Sequence, residues 1–282
     1  MAVAFALSAS IAWGISDFLG GIKSRTVALL TVLLVSQSLG TALMAVLALL
    51  HGHWPGAGLW MVEAFLAAVT GTIGLAALYG GIAVGLVTLV APVAATAPIL
   101  PLIVGLLAGE RPRPLQLAGA GLALLGVILL SLRPGAGQPA GRRRRGAGIG
   151  VGLAVLASIC FGCFYLTLAV ASRRDVVWAT MIQRLSSVCL LGATALLLRR
   201  WPMLHRKDLS TLATVGILDV GANVLYGAAS AIGSITLVPV LASSLYPIEG
   251  VVLARFVLHE RIARLQQAGV VMVIAGVALV SA

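Results

Sequence analysis

Charge is what this chain has least of. Of its 282 residues, 10% are Asp, Glu, Lys or Arg and only eight are acidic, whereas soluble domains carry about 25% charged residues. With 60% hydrophobic residues and a mean hydropathy of +1.10, there is too little polar surface to wrap a globule, and a water-soluble fold is excluded. Long polar stretches are missing too. The longest segment without a span-length apolar run is Arg133 to Gly146, too short for a solvent-facing catalytic domain. Cysteine is scarce, and Cys160, Cys163 and Cys189 all lie within apolar runs. The first two form a C-x-x-C, but no polar or His partner flanks them, so core packing is expected and metal or redox chemistry is not. His51, His53, His205 and His259 sit at run ends or in loops, which leaves no intramembrane constellation for an embedded enzyme. No G-x-x-x-x-G-K-[ST] occurs, so ATP-driven machinery is not expected. The N-terminus has no basic leader, and its apolar run passes Asp17 to about Ile22 without a convincing cleavage site. It reads as a first span, not as a signal peptide.

What the sequence does have is apolar runs. A hydrocarbon core of roughly 30 Å takes about 20 helical residues, and ten runs fit, at 3–22, 27–50, 59–82, 86–108, 114–132, 147–171, 176–198, 209–231, 235–258 and 264–281. They are continuous where strands would alternate, so helices are expected. The halves align at an offset of 146 to 150 residues: Ser10–Gly14 with Ser158–Gly162, Gln37 with Gln183, Leu78–Gly80 with Leu225–Gly227, Thr88–Val90 with Thr236–Val238, and Glu110-Arg111 with Glu260-Arg261. Five spans per copy is an odd number, so the second copy must enter the bilayer upside down. The expected fold is all-α and integral to the membrane, with ten transmembrane helices in two inverted five-helix repeats. Residues 1–132 and 147–282 form the repeats, and 133–146 is a basic Gly/Pro linker, a tether with a potential contact to lipid headgroups.

The net charge of +11 follows from loop composition, and nucleic acid is not an expected partner. The odd-numbered loops hold Lys23, Arg25, Arg133, Arg142 to Arg145, Arg199, Arg200, Arg206, Lys207, Arg261 and Arg264, thirteen cations against four in the even-numbered loops. By the positive-inside rule the odd loops face the cytoplasm and both termini lie outside.

A charge at the bilayer centre costs roughly 2.5 to 3.5 kcal/mol on insertion scales. Each one therefore needs a partner, a wet cavity or a neutral state. Asp17, Glu63, Asp219 and Glu249 fall inside spans, Glu63 only about a turn in, where it reads as interfacial. Asp219, Asn223 and Tyr226 follow i, i+4, i+7 spacing and share one face of span eight. That stripe either lines a cavity or acts as interhelical glue. Its first-half counterpart, Thr72, Ala76 and Tyr79, lacks the acid. Arg184 lies mid-span beside Gln183, and an Asp219 or Glu249 partner would neutralise it. Alternatively its fork of donors holds a substrate carboxylate directly, and exchange of Arg184 from protein acid to substrate acid would then couple binding to movement. Trp13 and Asp17 share a face of span one, Trp13 as a cavity wall or packed on span four, and Asp17 as the first-half candidate for a proton site. Trp13, Asp17, Gln37, Tyr79, Tyr165, Gln183, Arg184, Asp219, Asn223, Tyr226 and Glu249 make the candidate substrate-binding set. Spans four and nine carry Pro92, Pro98, Pro101, Pro239 and Pro247, and interrupted helices at matching places point to a carrier's site. Pro98 and Pro247 are candidate hinges. Glu110 and Glu260, beside Arg111 and Arg261, are candidate gate or anchoring groups. No metal site or cofactor is expected.

Trp13-Gly14-x-Ser16-Asp17-Phe18-Leu19-Gly20-Gly21, Pro98 followed by Gly109-Glu110-Arg111, and Leu245-Tyr246-Pro247 through Leu253-Ala254-Arg255 to Glu260-Arg261 resemble the EamA branch of the drug/metabolite transporter superfamily. The resemblance covers essentially the whole chain. It implies a ten-helix secondary carrier in the cell membrane, often an exporter of amino acids or other small metabolites, with a central cavity between spans one to four and six to nine. Spans five and ten would be peripheral. It also implies cytoplasmic termini, opposite to the loop-charge reading, and a small or apolar residue where this chain has Glu249. The expected partners are a small-molecule substrate, the lipid bilayer and, as a candidate coupling ion, the proton. A channel, a membrane-embedded enzyme and a same-fold carrier of lipid-linked or nucleotide-linked sugars are the alternatives.

Overall fold

The structure, a computed structural model, describes residues 1–83, 94, 96–131, 143–200, 203–245 and 264–281. Among these residues ten helices occur and no strand: α1 (Ala2–Lys23), α2 (Leu29–His51), α3 (Trp60–Ala83), α4 (Ile99–Leu107), α5 (Pro114–Ser131), α6 (Arg143–Ser172), α7 (Val176–Leu197), α8 (Arg206–Ile232), α9 (Val238–Ser244) and α10 (Arg264–Ser281). Six are long and apolar enough to cross a bilayer: α1, α2, α3, the Gly152–Ser172 part of α6, α7 and α8. Pro247, Glu249 and Glu260, and most of the expected linker, lie outside the described residues.

Helix ends follow local chemistry. Gly52, at φ 67, takes the left-handed position that closes α2. Asp175 caps α7, its Oδ1 accepting from the Trp178 amide at 2.9 Å. Pro114 opens α5 where its missing N–H costs nothing. The run at 86–108 is not a single helix: Thr96–Pro98 form a turn, and α4 starts only after Pro98. Pro101 is tolerated because the first turn of a helix has no use for its donors. At its other end the run is cut by Gly109 at φ 91. In contrast α6 starts four residues before the hydropathy boundary, at Arg143, because arginine propagates a helix well. The basic run from Arg143 is thus helix, not flexible tether.

The helices pack in antiparallel pairs. Along α1 and α8, Trp13 meets Asn223, Ser16 Oγ donates to Val215 O at 3.0 Å, and Lys23 meets Asp208. Along α3 and α6, Phe164 fills the place of a side chain at Gly71 and Phe161 that at Gly74. Helix α2 lies on α7 and α8, its Gly40 backbone touching that of Gly216. Gly221, a glycine that would suit close contact, instead has open space around it. Three of the five tryptophans gather at one end of the bundle, Trp54 standing 4.7 Å from Trp178 and 5.7 Å from Trp60 between ring centroids, where amphipathic rings anchor to an interface. Cys160 is buried, but Cys189 faces outward: an apolar run in a bilayer has a lipid face as well as a core face, so hydropathy alone does not assign a thiol to the core.

Helices α5 and α10 pair mainly with each other. Gly119, Ala123 and Gly126 face Gly269, Val273 and Gly276, with Gly119 against Gly276 and Gly126 against Gly269. Hydrocarbon offers no hydrophobic drive for helix association, so such pairs rely on close backbone approach through small residues. A Cβ at Gly276 would press on the Ala123 amide nitrogen and the Gly119 carbonyl, whereas one at Gly121 would meet nothing within 4 Å. Gly276→Leu is therefore expected to cost about 1 to 3 kcal/mol by overpacking and Gly121→Leu less than about 0.5 kcal/mol, as for a change away from any packed feature. Reversible unfolding in mixed micelles reads the difference.

Candidate functional site

An apolar helix places a polar side chain in the bundle centre only if that side chain finds partners. The spacing of Asp219, Asn223 and Tyr226 on α8 turns all three inward, and all three are buried. They meet Gln37 of α2, Gln183 and Arg184 of α7, and Trp13 of α1, also buried, and Asp17 is buried one turn further along α1.

Arg184 is 1% exposed and is the largest fully buried side chain among the described residues. Its Nη1 donates to Asp219 Oδ2 at 2.7 Å and to Gln37 Oε1 at 2.5 Å, while Gln37 Nε2 donates to the same Asp219 oxygen at 2.8 Å. This closed triangle ties α2, α7 and α8 and neutralises a charge too deep to reach water. Of the two acids that could pair with Arg184, the structure brings Asp219 to it; Glu249 is outside the described residues. The guanidinium is only partly used, since Nε and Nη2 have no hydrogen-bond partner.

A second chain of bonds crosses beside the first. Trp13 Nε1 donates to Asn223 Oδ1 at 3.1 Å, Asn223 Nδ2 to Gln183 Oε1 at 3.0 Å, and Gln183 Nε2 to Ser187 Oγ at 3.2 Å. Tyr79 Oη donates to Asp17 Oδ1 at 3.0 Å, and Tyr226 Oη to the Tyr165 carbonyl at 2.8 Å. The Trp13 ring packs on Tyr226, Tyr165 and Phe164, with centroids 5.5, 5.8 and 6.1 Å away. Its ring partners thus lie on α6 and α8; span four has no aromatic side chain, and its residues 86–93 lie outside the described residues.

These groups surround a cavity of about 80 Å³, counted by where the centre of a water molecule can go. At roughly 10 to 15 Å³ per water on that measure, it has room for a small metabolite. Trp13, Asp17, Gln37, Tyr165, Gln183, Arg184, Asp219 and Asn223 line it, as do Thr72 and Pro98. Tyr79 and Tyr226 do not; fully buried, they stand behind the wall and hold Asp17 and the α6 backbone in place. Leu33, Leu75, Leu78 and Leu191 also line it, so the cavity runs from the polar layer toward the end of the bundle where α1 finishes and α8 begins. Sequence reasoning missed these leucines, which look like any lipid-facing leucine. Ser187 was within reach, four residues after Gln183 on the same face.

Each end of the bundle carries a tie. At the cavity's end Lys23 Nζ pairs with Asp208 Oδ1 at 2.6 Å. At the other end Glu110 accepts from Ser234 Oγ at 2.6 Å, from the amides of Ile235 and Thr236 at 2.9 and 2.8 Å, and from the Thr236 hydroxyl. Its partners are therefore the residues leading into α9, in place of the expected neighbour Arg111. Partial burial pushes the Glu110 carboxyl up, but the bonds from Ser234, Thr236 and Ile235 outweigh it and hold the group below its ordinary value.

Comparison with known proteins now bears on this geometry. The model of the EamA-like transporter family matches residues 1–132 and 148–282. A solved structure, described only as a crystal structure of a protein, superposes with a TM-score of 0.75 at 18% identity, covering 99% of this chain and 95% of its own. At that identity the likeness concerns the fold alone. No curated protein matches the chain.

Two outcomes follow from the bonds. Asp219→Asn leaves a buried guanidinium without its counter-charge and is expected to cost about 3 to 5 kcal/mol; the double variant Arg184→Gln/Asp219→Asn should recover most of that loss in micelle unfolding. For Glu110, the lowered carboxyl means that the tie contributes fully above the ordinary value of 4.5 and fades as pH falls through the lower folded value. The stability difference between wild type and Glu110→Gln should accordingly be constant at neutral pH and shrink only under acid, as read by melting temperature against pH.

Proposed function

Because this chain belongs to the EamA-like transporter family, whose members are multi-pass membrane proteins, we propose that it is a secondary-active carrier in the cell membrane that exports small metabolites such as amino acids by alternating access. The carrying observation is the buried layer of Arg184, Asp219 and Gln37 forming one wall of a mostly apolar cavity inside the bundle. Charges are costly there, and a buried charged layer on the wall of a cavity is what a carrier needs at the midplane.

An architecture of ten spans in two inverted repeats, 1–132 and 147–282 joined by 133–146, is supported by contacts that exchange under the repeat offset. Gly119 meets Gly276 and Gly126 meets Gly269, residues 150 apart being interchanged, and the helices run antiparallel. An axis along the membrane normal would make these two helices parallel; an axis in the membrane plane makes them antiparallel. Tyr79 donating to position 17 and Tyr226 donating to position 165 form another such pair. Alternating access would be the rocking of these units around the polar layer. The turn at Thr96–Pro98 serves as a hinge and the Glu110 tie as the gate at the end away from the cavity.

Channels select ions with rings of charge or carbonyls along an open pore; here Asp17, Arg184 and Asp219 line one closed-in cavity. The cavity's small volume favours a small metabolite over a nucleotide-linked sugar. Counterflow in proteoliposomes tests the reading. Unlabelled amino acid inside should accelerate entry of the same labelled compound by several fold, and Gln37→Ala or Asn223→Ala should reduce that stimulation. Uptake indifferent to the internal compound would mark a channel, and consumption of the compound would mark an enzyme.

A further inference from the structure

The protein's own acceptors use only part of the Arg184 guanidinium. A guanidinium offers two planar edges to an acid, and one of them is formed by Nε–H and the Nη2–H beside it, whose parallel donors match the two oxygens of a carboxylate. In Arg184 the protein's own acceptors, Asp219 and Gln37, are both gathered on Nη1, and Nε and Nη2 are the nitrogens left without a partner. The residue is among those lining the cavity, while Nε and Nη2 themselves are buried behind its surface, so a ligand reaches them only as the layer opens. A buried donor without an acceptor is destabilising, the more so when charged, so leaving a whole edge unspent suits a group that arrives from outside.

Resting on the carrier reading above, we propose that the cavity takes a small metabolite bearing a free carboxylate, and that the carboxylate binds the Nε–Nη2 edge of Arg184 while Asp219 and Gln37 stay on Nη1. This differs from an exchange in which the substrate displaces Asp219. With Asp219 retained, the site keeps its internal ion pair in both the empty and the loaded state, so binding adds a second pair of charged hydrogen bonds without stranding the protein's own acid. Asp17 lines the same cavity and gives an ammonium group somewhere to go, so the substrate's amine and its carboxylate are recognised by different residues. The carboxylate requirement is therefore separable from any requirement for the amine.

Ligand-induced stabilisation of the purified full chain in detergent tests this. The panel is the twenty amino acids together with acetate, lactate and pyruvate, and the strongest stabiliser is then compared with its amide and with its decarboxylated amine. Wild type is expected to bind the carboxylate at least about tenfold more tightly than the amide or the amine, as for the loss of a charged hydrogen bond. Arg184→Lys retains a cation for Asp219 and Gln37 but has no planar fork. It should fold and lose that preference. Equal binding of the amide or amine by wild type, undiminished carboxylate preference in Arg184→Lys, or no stabilisation by any carboxylate in the panel would each overturn the assignment. The wild-type comparison stands even where the lysine variant does not fold. Counterflow of a compound whose amide is carried equally well would reject the carboxylate edge and leave the carrier reading intact; a bound carboxylate without counterflow would do the reverse.

Discussion

One buried cation organises the centre of this protein. Arg184 cannot reach water from mid-helix, and its charge is far too costly to leave alone in an apolar bundle. Its guanidinium therefore draws an acid from α8 and an amide from α2 onto a single nitrogen. Three helices that share no sequence proximity are fixed in register by that one contact. The remaining polar side chains of the layer, Asn223, Gln183 and Trp13, then satisfy one another, with Ser187 at the end of the chain of bonds. A cavity beside such a layer has one polar wall in an otherwise mostly apolar lining, and the same desolvation that makes the charges expensive makes any interaction with them strong.

Around this layer the bundle is held by shape. Glycines at Gly40, Gly71, Gly74 and Gly216 let backbones or aromatic rings come closer than side chains would permit, which is how helices associate where the solvent is itself hydrocarbon. Close contact and polar bonding have complementary roles here. Glycine contacts are indifferent to small sliding and suit surfaces that move past each other. The charged triangle is directional, and it marks a definite relative position of α2, α7 and α8.

How much of this could be read from the chain depended on whether a signal was local. Asp219, Asn223 and Tyr226 announced themselves by spacing within one helix, and so did the span lengths of α1, α2, α3, α7 and α8. The partner of Arg184 was narrowed to two acids because any buried cation needs one, but only geometry brings Asp219 to it. Gln37 was visible as the repeat partner of Gln183; its place between Arg184 and Asp219 was not, since it depends on which helices become neighbours. Trp13 and Glu110 show the same limit from the other side. Periodicity says which face of α1 is buried and not that α8 covers it. Glu110 sits next to Arg111 in the chain, yet its carboxylate is satisfied by hydroxyls and amides more than a hundred residues away. Tyr79 and Tyr226 were readable as inward-facing, but a single helix face cannot distinguish a residue on a cavity wall from one a layer behind it.

On the duplicated reading, the two tyrosines carry one more consequence. Both donate a hydrogen bond from equivalent places, Tyr79 to the Asp17 carboxylate and Tyr226 to the Tyr165 backbone carbonyl. The scaffold contact is kept while the acceptor differs: a side-chain acid in one half, a main-chain oxygen in the other. Such a substitution leaves packing nearly symmetric and makes electrostatics asymmetric, with an acid bonded to Tyr79 on the α1 side and an acid–base pair on the α7–α8 side of one cavity. A rocking motion between equivalent halves needs symmetric shape, so that both end states pack equally well. Recognition of a substrate with distinct ends needs asymmetric charge. The division between what the repeats share and where they diverge is what a bundle of this kind requires if it is to do both.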